Sequence, residues 1–282
     1  QINKKTPWKK SKNLWDLYEK AHTPWEWHKK IFQLCKKINI QVFSSPFDET
    51  AVDLLEELKC PAYKIASAEI NHIPLLIKVA KTKKPIIISI GLAHLHEIKL
   101  ALNTIRKYGN NKIVLLKCVS AYPSPVKEQN LKSIKALQLK FKTLVGLSDH
   151  TLGIASSIAA VTLGASIIEK HFNLNDRKKT VDSFFSLNDL NFKTMVDNIR
   201  EAELSIGKNT FEISKSSKKN LNSKRSIYVS QNIKKGEKIT NYNIRIIRPS
   251  FGLHPRYFNS IIGKKVNKNL FAGDRMQLKH LK

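Results

Sequence analysis

The sequence is short of acidic side chains: 22 Asp and Glu stand against 50 Lys and Arg in 282 residues, a formal net charge of +28. It contains no apolar run of membrane-spanning length, and no charged-then-apolar signal sequence opens it, so no membrane span is expected. Cysteine is scarce too. Cys35, Cys60 and Cys118 are odd in number and lack metal-ligand spacing, which speaks against a disulfide framework and fits free thiols in a reducing cytoplasm. A strongly basic chain raises nucleic acid, an anionic membrane surface or an anionic substrate as partners. However, no RNA-recognition signature, no base-reading basic helix and little aromatic interleaving accompany the charge. The Lys pairs scattered among Asn and Ile read as composition bias, so neither nucleic acid nor membrane is expected as a partner.

What is present is a rhythm. Strand-like runs at 40–44, 62–67, 85–90, 113–119, 144–147 and 166–171 alternate with helix-like runs near 49–58, 71–82, 94–108, 128–140 and 153–163. A last helix spans about 187–205. Alternation of this kind predicts an α/β fold with a parallel sheet, its strands apolar because both faces are covered. Six strand–helix units are present, whereas a closed (β/α)8 barrel of the TIM type needs eight over about 250 residues. The sheet is therefore either open and doubly wound or a barrel without its first two strands; Gln rather than Met at position 1 favours the second. Ahead of the rhythm, residues 1–39 read as polar coil and helices. Thr23-Pro24 reads as a cap followed by a first-turn proline, and Trp25, Trp27, His28 and Phe32 as a face packed on the larger body. The expected domains are a partial barrel over 1–205, a polar linker over 206–222 and a small β-rich domain over 223–282.

The chemistry gathers at the carboxyl ends of the strands, where a parallel barrel builds its active site. Gly146-Leu-Ser148-Asp149-His150-Thr151 and Glu169-Lys170-His171 place two histidines at neighbouring strand ends. That pair can hold a divalent ion with positions left open for water or a substrate oxygen; alternatively, Asp149 orients His150 in a buried polar network. Nitrogen and oxygen donors suit Mn, Fe, Co or Zn. Other strand ends contribute Ser45, Lys64, Ser67, Glu69, Ser89, Ser120, Tyr122, Ser148 and, in the last loop, Asp182. Each Ser alone reads as a helix cap, but their recurrence makes a hydroxyl-lined anion cradle. Lys64 sits in an apolar strand, where an ammonium is costly to bury unless an anion meets it.

The motifs FSSPFDET, PAYKIASAEI, CVSAYPSP, GLSDHT, IIEKHF and VDSFFSL resemble the sialic acid synthase family from about residue 12 onward. SKRSIYVSQNIKKGE, IRIIRPSFGL and the closing IIGKK and FAGD resemble that family's antifreeze-like (SAF, β-clip) domain. LWDLYEKAHTPWEWHKKIF and VDSFFSLNDLNFKTMVDNIREAE are more similar to pseudaminic acid synthases than to N-acetylneuraminate synthases. The resemblance implies condensation of phosphoenolpyruvate with a 2,4-diacetamido-trideoxyhexose, giving pseudaminic acid and phosphate. Its alternatives are N-acetylneuraminate or legionaminate synthesis, or a non-catalytic sugar- or anion-binding remnant. His150 and His171 are implied as ligands of a divalent metal, manganese first, with Mg, Co or Zn as substitutes. Ser45, Lys64, Ser67, Ser120 and Ser148 are implied to hold phosphoenolpyruvate. Glu69, Tyr122, Asp182 and Arg248 are implied to meet the sugar, with Glu69 and Asp149 as catalytic carboxylates. A cytoplasmic homodimer with an exchanged C-terminal domain completes the picture. The family's E-I-G-x-N-H-like motif and Lys-Phe-Gln segment are missing, so weak or no activity is expected of the chain as it stands.

Overall fold

The structure, a computed structural model, describes residues 8–9, 11–174 and 180–282; the first seven residues of the polar front segment, and residue 10, lie outside these. Two compact units divide the chain, residues 1–207 and 208–282.

The first unit opens with helices α1 (Leu14–Ala21) and α2 (Trp25–Lys37), then alternates α3 (Glu49–Glu57), β1 (Tyr63–Ile65), α4 (Ile73–Lys81), β2 (Ile86–Ser89), α5 (Leu95–Lys107) and β3 (Ile113–Cys118). It continues through α6 (Ser133–Phe141), β4 (Leu144–Asp149), α7 (Ala155–Thr162), β5 (Ile168–Lys170) and α8 (Asp189–Ile206). All strand pairs are parallel, and the spatial order β1-β2-β3-β4-β5 equals the chain order. Right-handed crossovers that always step the same way place every helix on one face. Tyr63, Ile65, Ile86, Ile88, Ile113, Leu115, Val145 and Leu147 point to that face and form the main core with the helices. Each such side chain taken out of water contributes about 1.5–3 kcal/mol.

The opposite face is concave. Four inter-strand steps of about 4.8 Å would hold β1 and β5 nearly 20 Å apart in a flat sheet. Yet Lys64 Nζ of β1 lies 3.7 Å from Glu169 Oε2 of β5. Only a strong curl brings them together, so the sheet is the arc of a (β/α)8 barrel and not a doubly wound sheet. Ile87, Val114 and Leu116, with Ile167 beside them, fill the floor of this arc. Gly146 is required there: a Cβ would stand 2.3 Å from the Ile167 carbonyl oxygen and 2.8 Å from Leu116 Cδ2.

Three expectations from the sequence need correction. Residues 40–44 do not form a strand; only Ser44 bridges to Tyr63, because no further strand backs the run on its other side among the described residues. Pro24, not Thr23, is the N-cap of α2, and no side chain caps that helix. Trp25 and Trp27 are 50% and 56% exposed, so of the four front-segment residues named above only Phe32 packs on the core.

In the second unit, residues 208–225 are exposed throughout and include a four-residue helix, α9 (Lys215–Lys218). β6 (Ser226–Val229) and β7 (Ile244–Ile247) pair antiparallel, and isolated bridges tie Ile233 to Leu270 and Val266 to Leu281. A short helix, α10 (Phe258–Ile261), helps close a core of its own around Ile227, Val229, Ile239, Ile244, Val266 and Met276. No helix among the described residues is long and apolar enough to cross a membrane.

Candidate active site

Strand alternation decides what the concave face offers. Residues two apart share a face, so above the floor formed by Ile87, Val114, Leu116 and Ile167 the inward positions become Ser89, Cys118, Ser148 and Glu169. Lys64, flanked by the outward Tyr63 and Ile65, joins them. Ser148 donates its hydroxyl to Glu169 Oε1 at 2.6 Å. Glu169 thus links Ser148 on one side with the Lys64 ammonium on the other.

His150 and His171 follow directly at the rim. Their ring centres lie 5.3 Å apart at 62°, and Tyr122 and Phe185 pack against them: Tyr122 at 4.4 Å from His150, Phe185 at 4.6 Å from His171. The Nδ1 of His150 donates to the Val119 carbonyl at 3.0 Å, which leaves Nε2 as the lone-pair nitrogen. The Nδ1 of His171 lies 3.6 Å from Asp182 Oδ2. Burial holds both imidazoles below histidine's ordinary pKa, against the Val119 carbonyl contact for His150 and the Glu169 charge for His171. Both rings are therefore neutral at pH 7. Burial likewise raises the carboxyls of Glu69 and Asp182 and pushes the Tyr122 phenol up to about 12.

These residues fit a metal ion. Two imidazoles sharing one ion through ~2.1 Å bonds hold their ring centres roughly 5 Å apart, and a carbonyl or carboxylate on the far nitrogen is the usual outer support of such a ligand. Among the described residues no third His, Cys, Asp or Glu completes a metal-holding group with them. The remaining positions would be those of water or substrate.

Three polar atoms at this rim are buried without a hydrogen-bond partner: Glu69 Oε2, Ser89 Oγ and Ser120 Oγ. Buried polar groups are nearly always paired, and three of the eight such orphans among the described residues belong to the strand ends and loops of this concave face. Gly91 belongs to the same wall, where a Cβ would meet Cys118 Sγ and Ser120 Oγ at 2.5 Å each. Ser67 accepts the Leu92 N–H at 2.7 Å, tying the loop after β1 to the loop after β2 while its own proton stays available. Lys64 and Glu169 also floor a cavity of about 580 Å³ whose wall includes Ser45, Asp48, His22 and His28.

Of the residues singled out in the sequence, Lys64, Ser148, His150, His171, Tyr122 and Asp182 are gathered here, with Glu69, Ser67 and Ser120 on neighbouring loops and Ser45 in the adjoining wall. Arg248 follows β7 in the second unit. Asp149 differs. Its side chain points away from the concavity, fully buried against Lys170, and both oxygens are engaged by Thr151 and Ser157. Of its two readings, the orienting network is the one its contacts describe. In the sequence Glu169 counts as a neighbour that favours a site beside the histidines but has no role of its own, and Phe185 is passed over. Glu169 was readable, because period-2 alternation in Glu169-Lys170-His171 puts Glu169 and His171 on one face; Phe185, on a loop, carried no such signal.

Residues 1–211 match the NeuB family and residues 224–282 the SAF domain. The chain is 47% identical to the pseudaminic acid synthase of Helicobacter pylori over 95% of its own length and 78% of that protein's. It is 42% identical to the N,N'-diacetyllegionaminic acid synthase of Campylobacter jejuni over 86% of this chain and 73% of that one. Among solved structures, the N-acetylneuraminic acid synthetase of Leptospira borgpetersenii superposes with a TM-score of 0.68 at 29% identity, covering 74% of each chain. The curled parallel sheet, the paired histidines and these matches together place the chain in the NeuB family of sialic acid synthases.

Proposed function

We propose that this chain is a pseudaminic acid synthase: it joins phosphoenolpyruvate to a 2,4-diacetamido-2,4,6-trideoxyhexose and releases inorganic phosphate. The observation that carries the reading is the rim itself, where neutral paired imidazoles, an inward ammonium and three orphaned polar atoms surround one concavity. The greater identity to a pseudaminate than to a legionaminate enzyme favours this sugar.

In the reaction, C3 of phosphoenolpyruvate attacks the aldehyde carbon of the open-chain sugar. Water adds at C2, and phosphate departs by C–O cleavage, leaving the 2-keto acid. A divalent ion bound by His150 and His171, manganese foremost, would supply Lewis acidity toward the aldehyde oxygen. The chain's own residues do the holding. Lys64 supplies the positive charge for the phosphate or carboxylate, and Ser45, Ser67, Ser120 and Ser148 donate hydroxyl hydrogen bonds to it. Glu69, its carboxyl raised by burial, and Asp182 and Tyr122 face the sugar. Glu169 keeps Lys64 and Ser148 oriented between turnovers. A cytoplasmic homodimer with exchanged C-terminal domains, bringing Arg248 to the sugar's acyl group in the partner, belongs to the same proposal and rests on the family resemblance.

The test is phosphate release, by this chain and by one given a family-like front segment, with phosphoenolpyruvate, Mn²⁺ and 6-deoxy-2,4-diacetamido-altrose, and with N-acetylmannosamine and the legionaminate precursor in parallel. Release with the first sugar alone, abolished in His171→Ala, is the expected result. Release with either of the other sugars instead reassigns the substrate. If both forms are folded and bind phosphoenolpyruvate yet turn over none of the three, the chain is a sugar- or anion-binding remnant, and the proposal fails.

A further inference from the structure

Each of the two histidines is preceded in the chain by one half of a buried ion pair. Asp149 and Lys170 stand opposite each other in the parallel register of β4 and β5. Their side chains are 0% and 1% exposed, with Nζ 3.0 Å from Oδ2. Because successive strand residues point to opposite faces, this pair lies behind the wall on which Ser148 and Glu169 face the concavity.

The pair is also the centre of a closed network. Asp149 Oδ1 accepts the Thr151 N–H at 2.8 Å, and Oδ2 accepts the Ser157 hydroxyl of α7 at 2.7 Å. The Lys170 ammonium donates to the carbonyls of Thr151 and Gly153. His150 is therefore fixed on both flanks, through Asp149 before it and Thr151 after it, and its ring rotation is set by Val119. His171 has a looser setting, the 3.6 Å approach of Asp182 and the packing of Phe185. Its backbone is held on one side by the Leu187 N–H, which donates to the His171 carbonyl at 2.9 Å, and on the other by Lys170, the last residue of β5.

We propose that the Asp149–Lys170 pair, with Ser157 and Thr151, sets the separation and orientation of His150 and His171, so that Asp149 and Lys170 are positioning residues for the metal site and take no part in proton transfer. The inference rests on the two-histidine reading of that site. A charge pair excluded from water holds its geometry far more strictly than an exposed one, and outer supports of a metal ligand influence affinity about 10–100-fold when removed.

The experiment is a Co²⁺ titration of the full chain, followed by calorimetry and by the ligand-field absorption band, alongside thermal melting. The proteins are the parent chain, His171→Ala, Lys170→Met and the double variant Asp149→Asn/Lys170→Met, which leaves no unpaired buried charge and keeps an acceptor for the Thr151 N–H. Expected are one Co²⁺ per parent chain, loss in His171→Ala, and 10–100-fold weaker binding with a shifted band in both Lys170 variants. The double variant should melt near the parent, so its weaker binding cannot come from unfolding. Parent-like affinity and an unmoved band in the double variant overturn the positioning inference and leave the two-histidine site standing. No Co²⁺ binding by the parent, or binding untouched by His171→Ala, overturns the site reading itself. If neither Lys170 variant folds, Ser157→Ala carries the test: a smaller loosening in the same direction supports the inference, and none overturns it.

Discussion

At the residue scale the site is a matter of which way side chains turn. His150 and His171 were legible because a polar residue closing an apolar run at a parallel strand's carboxyl end faces the active rim. Asp149 was harder to place, since a carboxylate between a serine and a histidine looks catalytic until the alternation is followed one residue at a time. Ser148 turns in and Asp149 turns out. The orphaned atoms of Ser89, Ser120 and Glu69 could not be read from sequence at all, because lack of a partner is a property of three-dimensional packing. Burial of the two imidazoles has a consequence for pH. Their folded pKa values are depressed, whereas in the unfolded chain they titrate near the ordinary ~6.5. Below that value the unfolded state takes up protons that the folded state refuses, so the stability present above pH ~6.5 is lost as pH falls. The melting temperature should be level between pH 8 and 7 and drop between 6.5 and 5.5, with a smaller drop in His150→Gln/His171→Gln. A drop of equal size in that variant would show that other groups are responsible.

At the scale of elements, the five strands and the helices between them were readable from periodicity, with ends shifted by at most five residues. The exception is instructive. Residues 40–44 have the composition of a strand, but a strand needs a neighbour on the sheet, and only Ser44 finds one. The aromatic helix α2 misled in a similar way: its spacing promises a buried face, yet the described residues give Trp25 and Trp27 little to pack on. Gly146 lies where β4 meets the backbone of Ile167, just ahead of β5. Gly146→Ala places a methyl group 2.3 Å from the Ile167 carbonyl oxygen and cannot be relieved by rotating a side chain, since backbone is the obstacle. Overpacking of this kind costs about 1–3 kcal/mol. Urea denaturation should register that loss, together with weaker Co²⁺ binding as β5 is pushed outward. An unchanged midpoint would mean the strands separate freely there, contrary to the close packing described.

At the scale of the whole molecule, two units each hold their own apolar core, and the exposed stretch between residue 208 and β6 carries Lys215, Lys218, Lys219 and Lys224. Brief trypsin treatment should cut there first, leaving two fragments that resist further digestion, as read by intact mass. Early cleavage inside the barrel helices instead would show that the first unit opens more readily than the linker. The composition shift into Ser- and Lys-rich sequence marked this stretch, and the family resemblance pointed to a curled barrel arc; periodicity alone left an open sheet equally possible, because curvature emerges only when the strands pair. The front of the chain has one more implication. All four tryptophans fall within its first 27 residues: Trp15, Trp25 and Trp27 face water, while Trp8 donates to the Val181 carbonyl and packs beside Tyr122. The sheet and the entire second unit are thus dark to indole fluorescence. The chain's indole emission comes from three solvent-facing lamps and one set at the edge of the histidine site.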